Sequence, residues 1–190
     1  MMTAADLERR ASAGVGAEGR RVRGYAIVFN ELSEDLGGFR EIIEPSAVDR
    51  TFTEQIDVRA LVDHEPGKVI GRKSAETLRL VKDARGLLVE IDVPKTTAGD
   101  DILELVSRRD VSGMSFTFSV VRPGGERWER RDGLPVRIVT DARIPEVSIV
   151  TFPAYDMTNV EVAQRALQAF AAAQPGQRVA WLKQLLRITT

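Results

Sequence analysis

The sequence predicts a mainly β (α+β) fold, an antiparallel β-barrel with flanking helices. Three observations carry that expectation. Short apolar or alternating runs recur from Arg20 to Phe152, punctuated by Gly, Pro and Asp turn residues. The clearest run, Gly113 to Val121, alternates Met114, Phe116, Phe118 and Val120 with Ser115, Thr117 and Ser119. Capping boxes mark helix starts at Thr97 with Asp100 and at Thr158 with Glu161. Closing the strands into a barrel would leave no exposed edge.

Residues 1–19 are rich in Ala, Gly and charge without a sustained period, so a flexible N-terminal segment is expected, helical only briefly around Ala4–Arg10. Arg20–Asn30 is the first predicted strand, with Tyr25-Ala26-Ile27-Val28-Phe29 at its centre and a polar loop after it. Phe39–Ile43 is a short strand, and Ser46 is placed to cap a one- or two-turn helix through Phe52. Val58–Val62 is a strand that hands His64 to a Pro66-Gly67 turn. Val69–Arg72, Thr77–Lys82 and Gly86–Val93 read as antiparallel strands, the last two joined through Asp83-Ala84-Arg85-Gly86.

A helix over residues 98–108 buries Ile102, Leu105 and Val106 and feeds directly into the strand that starts at Gly113. Arg122–Gly133 is expected to be a polar hairpin around Pro123-Gly124-Gly125. Strands follow at Val136–Thr140 and Val147–Phe152, and Pro145 fits only at the edge or start of the second. Beyond Pro153 the pattern turns helical. Thr158 opens a helix to Ala173 with Val160, Ala163, Leu167 and Phe170 as its apolar stripe, and Arg178–Ile188 is a last amphipathic helix.

Composition excludes several classes of function. Of 190 residues, 43% are hydrophobic and 29% charged, as in ordinary globular proteins. A net charge of −1 gives no overall electrostatic case for nucleic acid or a membrane surface. Without Cys there is no disulfide, thiol catalysis or thiolate metal site, and the single His64 rules out a zinc site built on several imidazoles. No cofactor or metal is expected. No apolar run approaches the ~20 residues of a membrane span, and the polar N-terminus lacks a signal-peptide region, so a cytoplasmic location is expected.

Ser115 stands at the start of a strand, just past a Gly, on the face not committed to packing. A nucleophile needs such a place; the alternative is a hydroxyl lining a wet sheet face. A serine nucleophile needs a base, and His64 is the sole imidazole; the alternative is a solvated turn histidine. The third member should be a carboxylate. Glu146 beside the apolar run Val147–Phe152 is the best candidate, with Asp141 and Asp63 as runners-up. There is no Gly-x-Ser-x-Gly elbow, Gly-rich phosphate loop or metal-ligand spacing.

In order along the chain stand Gly24-Tyr25-Ala26, Glu41-Ile42-Ile43-Glu44-Pro45-Ser46-Ala47, Leu61-Val62-Asp63-His64, Gly113-Met114-Ser115-Phe116-Thr117-Phe118 and Glu146 to Tyr155. With these motifs the chain resembles the prohead (capsid maturation) serine proteases of tailed bacteriophages, related in fold to the herpesvirus assemblins. The resemblance runs from about Gly24 to Ala166. It implies Ser115 as nucleophile, His64 as base and Glu146 as orienting acid. Assemblins use a second His as third member, which this chain lacks.

The resemblance also implies a serine endopeptidase that cuts the scaffold, or the scaffolding domain of the major capsid protein, and itself. It would act in the host cytoplasm inside the assembling procapsid and associate with copies of itself, with no nucleic acid or membrane partner. The implied division is a flexible segment 1–19, a protease β-barrel domain 20–158 and a C-terminal helical appendage 159–190 that is removable or a docking tail. The competing readings are a catalytically inactive structural capsid assembly factor of the same fold and a small-ligand-binding barrel.

Overall fold

Strand follows strand through the chain, and the breaks fall at glycines and left-handed turns. The structure, a computed structural model, describes residues 7–152 together with residues 167, 168 and 171. In order they form β1 (Glu8–Ala13), β2 (Gly16–Glu18), β3 (Arg21–Val28), β4 (Arg40–Ile43), α1 (Asp49–Thr53) and β5 (Arg59–Val62). Then come β6 (Val69–Arg72), β7 (Leu78–Lys82), β8 (Gly86–Asp92), α2 (Thr97–Arg108), β9 (Gly113–Val120), β10 (Glu126–Arg131), β11 (Leu134–Val139) and β12 (Ala142–Val150). No helix among the described residues is long and apolar enough to cross a membrane.

The mainly β expectation holds, but the strands form three sheets, ordered β1-β9-β12-β5-β6, β10-β11-β4 and β2-β3-β8-β7, rather than one closed antiparallel barrel. Two neighbouring pairs are parallel, β12 with β5 and β11 with β4. Both bring together strands distant in sequence, which no hairpin signal encodes. One hydrophobic core joins the two larger sheets, with Met114, Phe118, Val147 and Ile149 from one and Val22, Leu87, Val89 and Ile91 from the other.

The N-terminal segment departs most from expectation. Residues 4–10 were expected to be loose or briefly helical, but β1 begins at Glu8 and pairs antiparallel with β9, Ala11 opposite Ser115 and Glu8 opposite Phe118. Its first charge is withdrawn from solvent: Glu8 is fully buried, while Arg9 and Arg10 are half-buried. Arg137 on β11, itself 0% exposed, bonds Glu8 and Glu41 at 2.9 Å each, and Arg10 bonds the same two carboxylates. Glu126 completes the cluster on Arg137. Burial works against the Arg137 guanidinium, but Glu8, Glu41 and Glu126 more than offset it and raise its affinity for the proton.

Smaller differences have local causes. Thr96, not Thr97, caps α2, its hydroxyl accepting from the Gly99 amide at 3.2 Å. Leu105 is exposed and Leu103 buried in its place. Gly99 is required where it stands, since a Cβ would lie 2.2 Å from the Pro94 carbonyl oxygen. Ser46 does not cap the 3-10 turn Pro45–Val48 that precedes α1; it donates to the Thr140 carbonyl.

The hairpin centred on Pro123-Gly124-Gly125 is instead β10 and β11 joined at Asp132-Gly133, both at positive φ, as an Asp-Gly two-residue turn demands. Strand β12 starts at Ala142, earlier than expected, and Pro145 sits inside it where the register shifts between Arg143 and Glu146; such an irregularity tolerates a missing ladder donor. Of the helical stripe after Thr158, Leu167 is buried in a small cluster with Phe39, Leu36 and Trp128. The rest of that stripe and the helix Arg178–Ile188 lie outside the described residues.

Candidate active site

Register builds the site. Strands β9 and β12 pair antiparallel, with Ser115 opposite Ser148 and Thr117 opposite Glu146. Successive strand side chains alternate faces, so these four share one face while Met114, Phe116, Val147 and Ile149 take the core face. Directly opposed residues lie ~5 Å apart at Cβ, which places two hydroxyls on one strand beside a hydroxyl and a carboxylate on the other.

The imidazole arrives from β5, on the far side of β12. Val62 pairs with Ile149, and the next two residues, Asp63 and His64, both adopt left-handed backbone, φ 47° and 58°. Such a pair of non-glycine residues stores about 1–3 kcal/mol each and persists only where neighbours hold it. They do hold it. The Asp63 carboxylate accepts the Thr151 amide at 2.7 Å and the Thr151 hydroxyl at 2.9 Å, and the Asp63 amide donates to the Ile149 carbonyl. The His64 amide donates to Ser148 Oγ at 3.2 Å.

Three expected residues meet. His64 Nε2 lies 2.8 Å from Ser115 Oγ, and His64 Nδ1 lies 2.9 Å from Glu146 Oε2 and 3.2 Å from Oε1. The runners-up serve elsewhere: Asp63 fastens the turn to Thr151, and Asp141 takes a two-pronged contact from Arg50. The expectation that failed concerns solvent. The serine face of β9 is covered, with Ser115 only 3% exposed. Strand β9 lies between β1 and β12, and Ser115 Oγ is also 2.8 Å from the Arg10 carbonyl of β1. Its single proton therefore has two acceptors in reach, and only the bond to Nε2 activates the oxygen.

Glu146 is mostly buried, its side chain 12% exposed. Burial pushes its carboxyl upward; the His64 imidazole, then the hydroxyls of Ser148 and Thr117, outweigh that and hold it below the ordinary range. Thr117 Oγ1 donates to Oε2 at 2.5 Å and Ser148 Oγ donates to Oε1. These two hydroxyls and the Arg10 carbonyl were not anticipated as parts of the site. The i, i+2 spacings Ser115/Thr117 and Glu146/Ser148 are the sequence signal that places the hydroxyls there, given the pairing.

The model of the caudovirus prohead serine proteases matches residues 5–173. The chain belongs to this prohead serine protease family. The match includes β1, the strand that covers Ser115, as well as every strand of the site. No curated protein matches the sequence. Among solved structures, the capsid assembly protease of bacteriophage T4 shares the fold, with a TM-score of 0.52 at 10% identity over 76% of this chain and 97% of that one.

Proposed function

We propose that the chain is a serine endopeptidase of phage procapsid maturation, with Ser115 as nucleophile, His64 as general base and Glu146 as orienting acid. The observation that supports this is the unbroken relay from hydroxyl to imidazole to carboxylate, 2.8 Å and then 2.9 Å. In the proposed reaction Nε2 takes the Ser115 proton as Oγ attacks the scissile carbonyl carbon, then gives it to the leaving amine. Water enters by the same base and releases the acyl group from Ser115. Glu146 keeps the proton of neutral His64 on Nδ1, so that Nε2 is the basic nitrogen, and balances the imidazolium as it forms. A carboxylate thus takes the place that a second His holds in the herpesvirus assemblins.

The substrates of this proposal are the scaffold protein or the scaffolding domain of the major capsid protein, and the chain itself, inside the assembling procapsid in the host cytoplasm. Kinship with the assemblins, self-association, and removal of residues 159–190 from a protease domain 20–158 belong to the same reading. Intact mass of this chain recovered from mature particles tests the removal.

The deciding experiment is co-expression with the capsid protein and mapping of the new N-termini. Cleavage by the parent chain and none with Ser115→Ala is the expected result. Unchanged processing by Ser115→Ala overturns the assignment. An inactive assembly factor of this fold would neither process capsid protein nor react with a serine-directed fluorophosphonate.

A further inference from the structure

A carboxylate at the end of a flexible side chain does not aim itself. Glu146 has several rotatable bonds and two equivalent oxygens, and little water reaches it to fill them. Each oxygen receives one hydroxyl besides the imidazole: Thr117 Oγ1 on Oε2, Ser148 Oγ on Oε1. Thr117 is branched at Cβ and 4% exposed, which restricts its rotamers; Ser148 is fully buried. Ser148 spends its hydroxyl twice, donating its proton to Glu146 and accepting the His64 amide. One oxygen atom therefore spaces the carboxylate from the backbone that carries the imidazole. A hydroxyl that already donates to an oxygen favours that oxygen unprotonated.

We propose that Thr117 and Ser148 are positioning residues of the proton relay, clamping the Glu146 carboxylate by both oxygens and holding it, as an anion, against Nδ1 of His64. This rests on the roles of Ser115, His64 and Glu146 proposed above. It goes beyond them in adding two residues whose hydroxyls bond the carboxylate rather than the nucleophile, and in giving Ser148 control of base and acid together. A purely structural role, filling buried polar space, makes different predictions for the proton chemistry.

The test uses the full chain and a fluorophosphonate probe, with the rate of Ser115 modification followed against pH in the parent, Ser115→Ala, Thr117→Val, Thr117→Ser and Ser148→Ala. Thr117→Val keeps the shape and removes the hydroxyl. It should slow labelling at neutral pH by about 10- to 100-fold, the worth of a hydrogen bond to a charged group. The acid limb of its profile should move to higher pH, because a carboxylate with one donor fewer binds the shared proton more tightly; that limb belongs to the imidazole–carboxylate pair as a unit. Ser148→Ala, which loses two bonds, should be slower still, and Thr117→Ser should restore both rate and limb. His64 is the single histidine, so its Nδ1–H proton resonance can be read without assignment; it should broaden or shift in both crippled variants.

Parental rate and an unmoved acid limb in Thr117→Val overturn the proposal, as does Thr117→Ser that is as slow as Thr117→Val. Should Ser148→Ala not fold, Thr117→Val and its serine rescue decide alone. If Ser115→Ala is labelled like the parent, the nucleophile assignment fails and this inference with it. If Ser115→Ala is silent while the hydroxyl variants match the parent, only this inference fails.

Discussion

Two buried polar clusters lie on opposite faces of one sheet and meet at β9. On one face of β1 and β9, Arg137 gathers Glu8, Glu41 and Glu126, with Arg10 beside them over the Phe118 ring. On the other, Ser115, Thr117, Ser148 and Glu146 gather around His64. Both are withdrawn from water, so burial does not separate them. Their protons do. A guanidinium does not release a proton at any working pH. That cluster is an electrostatic tether holding β1 and β4 to β11. The second cluster joins a hydroxyl, an imidazole and a carboxylate in series, and an imidazole changes charge near neutrality.

The sharpest way to break the comparison is to remove one member from each cluster. Ser115→Ala should lower peptide cleavage roughly ten-thousandfold or more, with a melting temperature close to the parent's. Glu146→Gln keeps the shape but offers an amide where an anion oriented the imidazole, and should lose about a thousandfold or more in turnover. Arg137→Met reverses the pattern. It leaves Glu8 and Glu41 in the interior with Arg10 as their remaining cationic partner and should cost about 3–5 kcal/mol in urea unfolding, while activity per folded molecule stays near parental. Activity lost in proportion beyond the unfolded fraction would show that the tether also shapes the site.

The smallest effect belongs to the surface pair of Asp57 with Arg72. The Arg72 hydrogen bond, against a little burial and with help from Ser74, lowers the Asp57 carboxyl to about 2. A carboxyl lowered on folding stabilises the fold above its unfolded value near 4, and that contribution fades as pH falls through about 2. Asp57→Asn should therefore lower the melting temperature by a few degrees at most at pH 7, and the gap should narrow toward pH 2 and close below it. Glu146, also lowered, follows the same sign, so acid weakens fold and relay together.

Much of the candidate site was legible in the sequence. Alternation over Met114–Val120 named the β9 strand and its serine face; the lone imidazole offered the candidate base; and Glu146 stood out as a carboxylate against an apolar run. Other features escaped for definite reasons. Glu8, Arg9 and Arg10 read as part of a flexible segment, because the partner that buries Glu8 is 129 positions away at Arg137. The Asp132-Gly133 turn was passed over for the Pro-Gly-Gly before it, though the two-residue Asp-Gly is the stronger hairpin signal. The covered serine face followed from β1, which had not been read as a strand at all.

Local pattern was enough to identify most of the strands, the helix that precedes β9, and the three chemical groups capable of a relay, because side-chain period and residue chemistry are carried by neighbours in the chain. Which strands pair, and in which direction, was decided only in three dimensions. The parallel pairing of β5 with β12 brings His64 beside Glu146, and the β9–β12 register sets Ser115 and Thr117 against Ser148 and Glu146. Such pairings depend on surfaces that exist only once distant segments have packed, and that is where a hydroxyl, an imidazole and a carboxylate become one site.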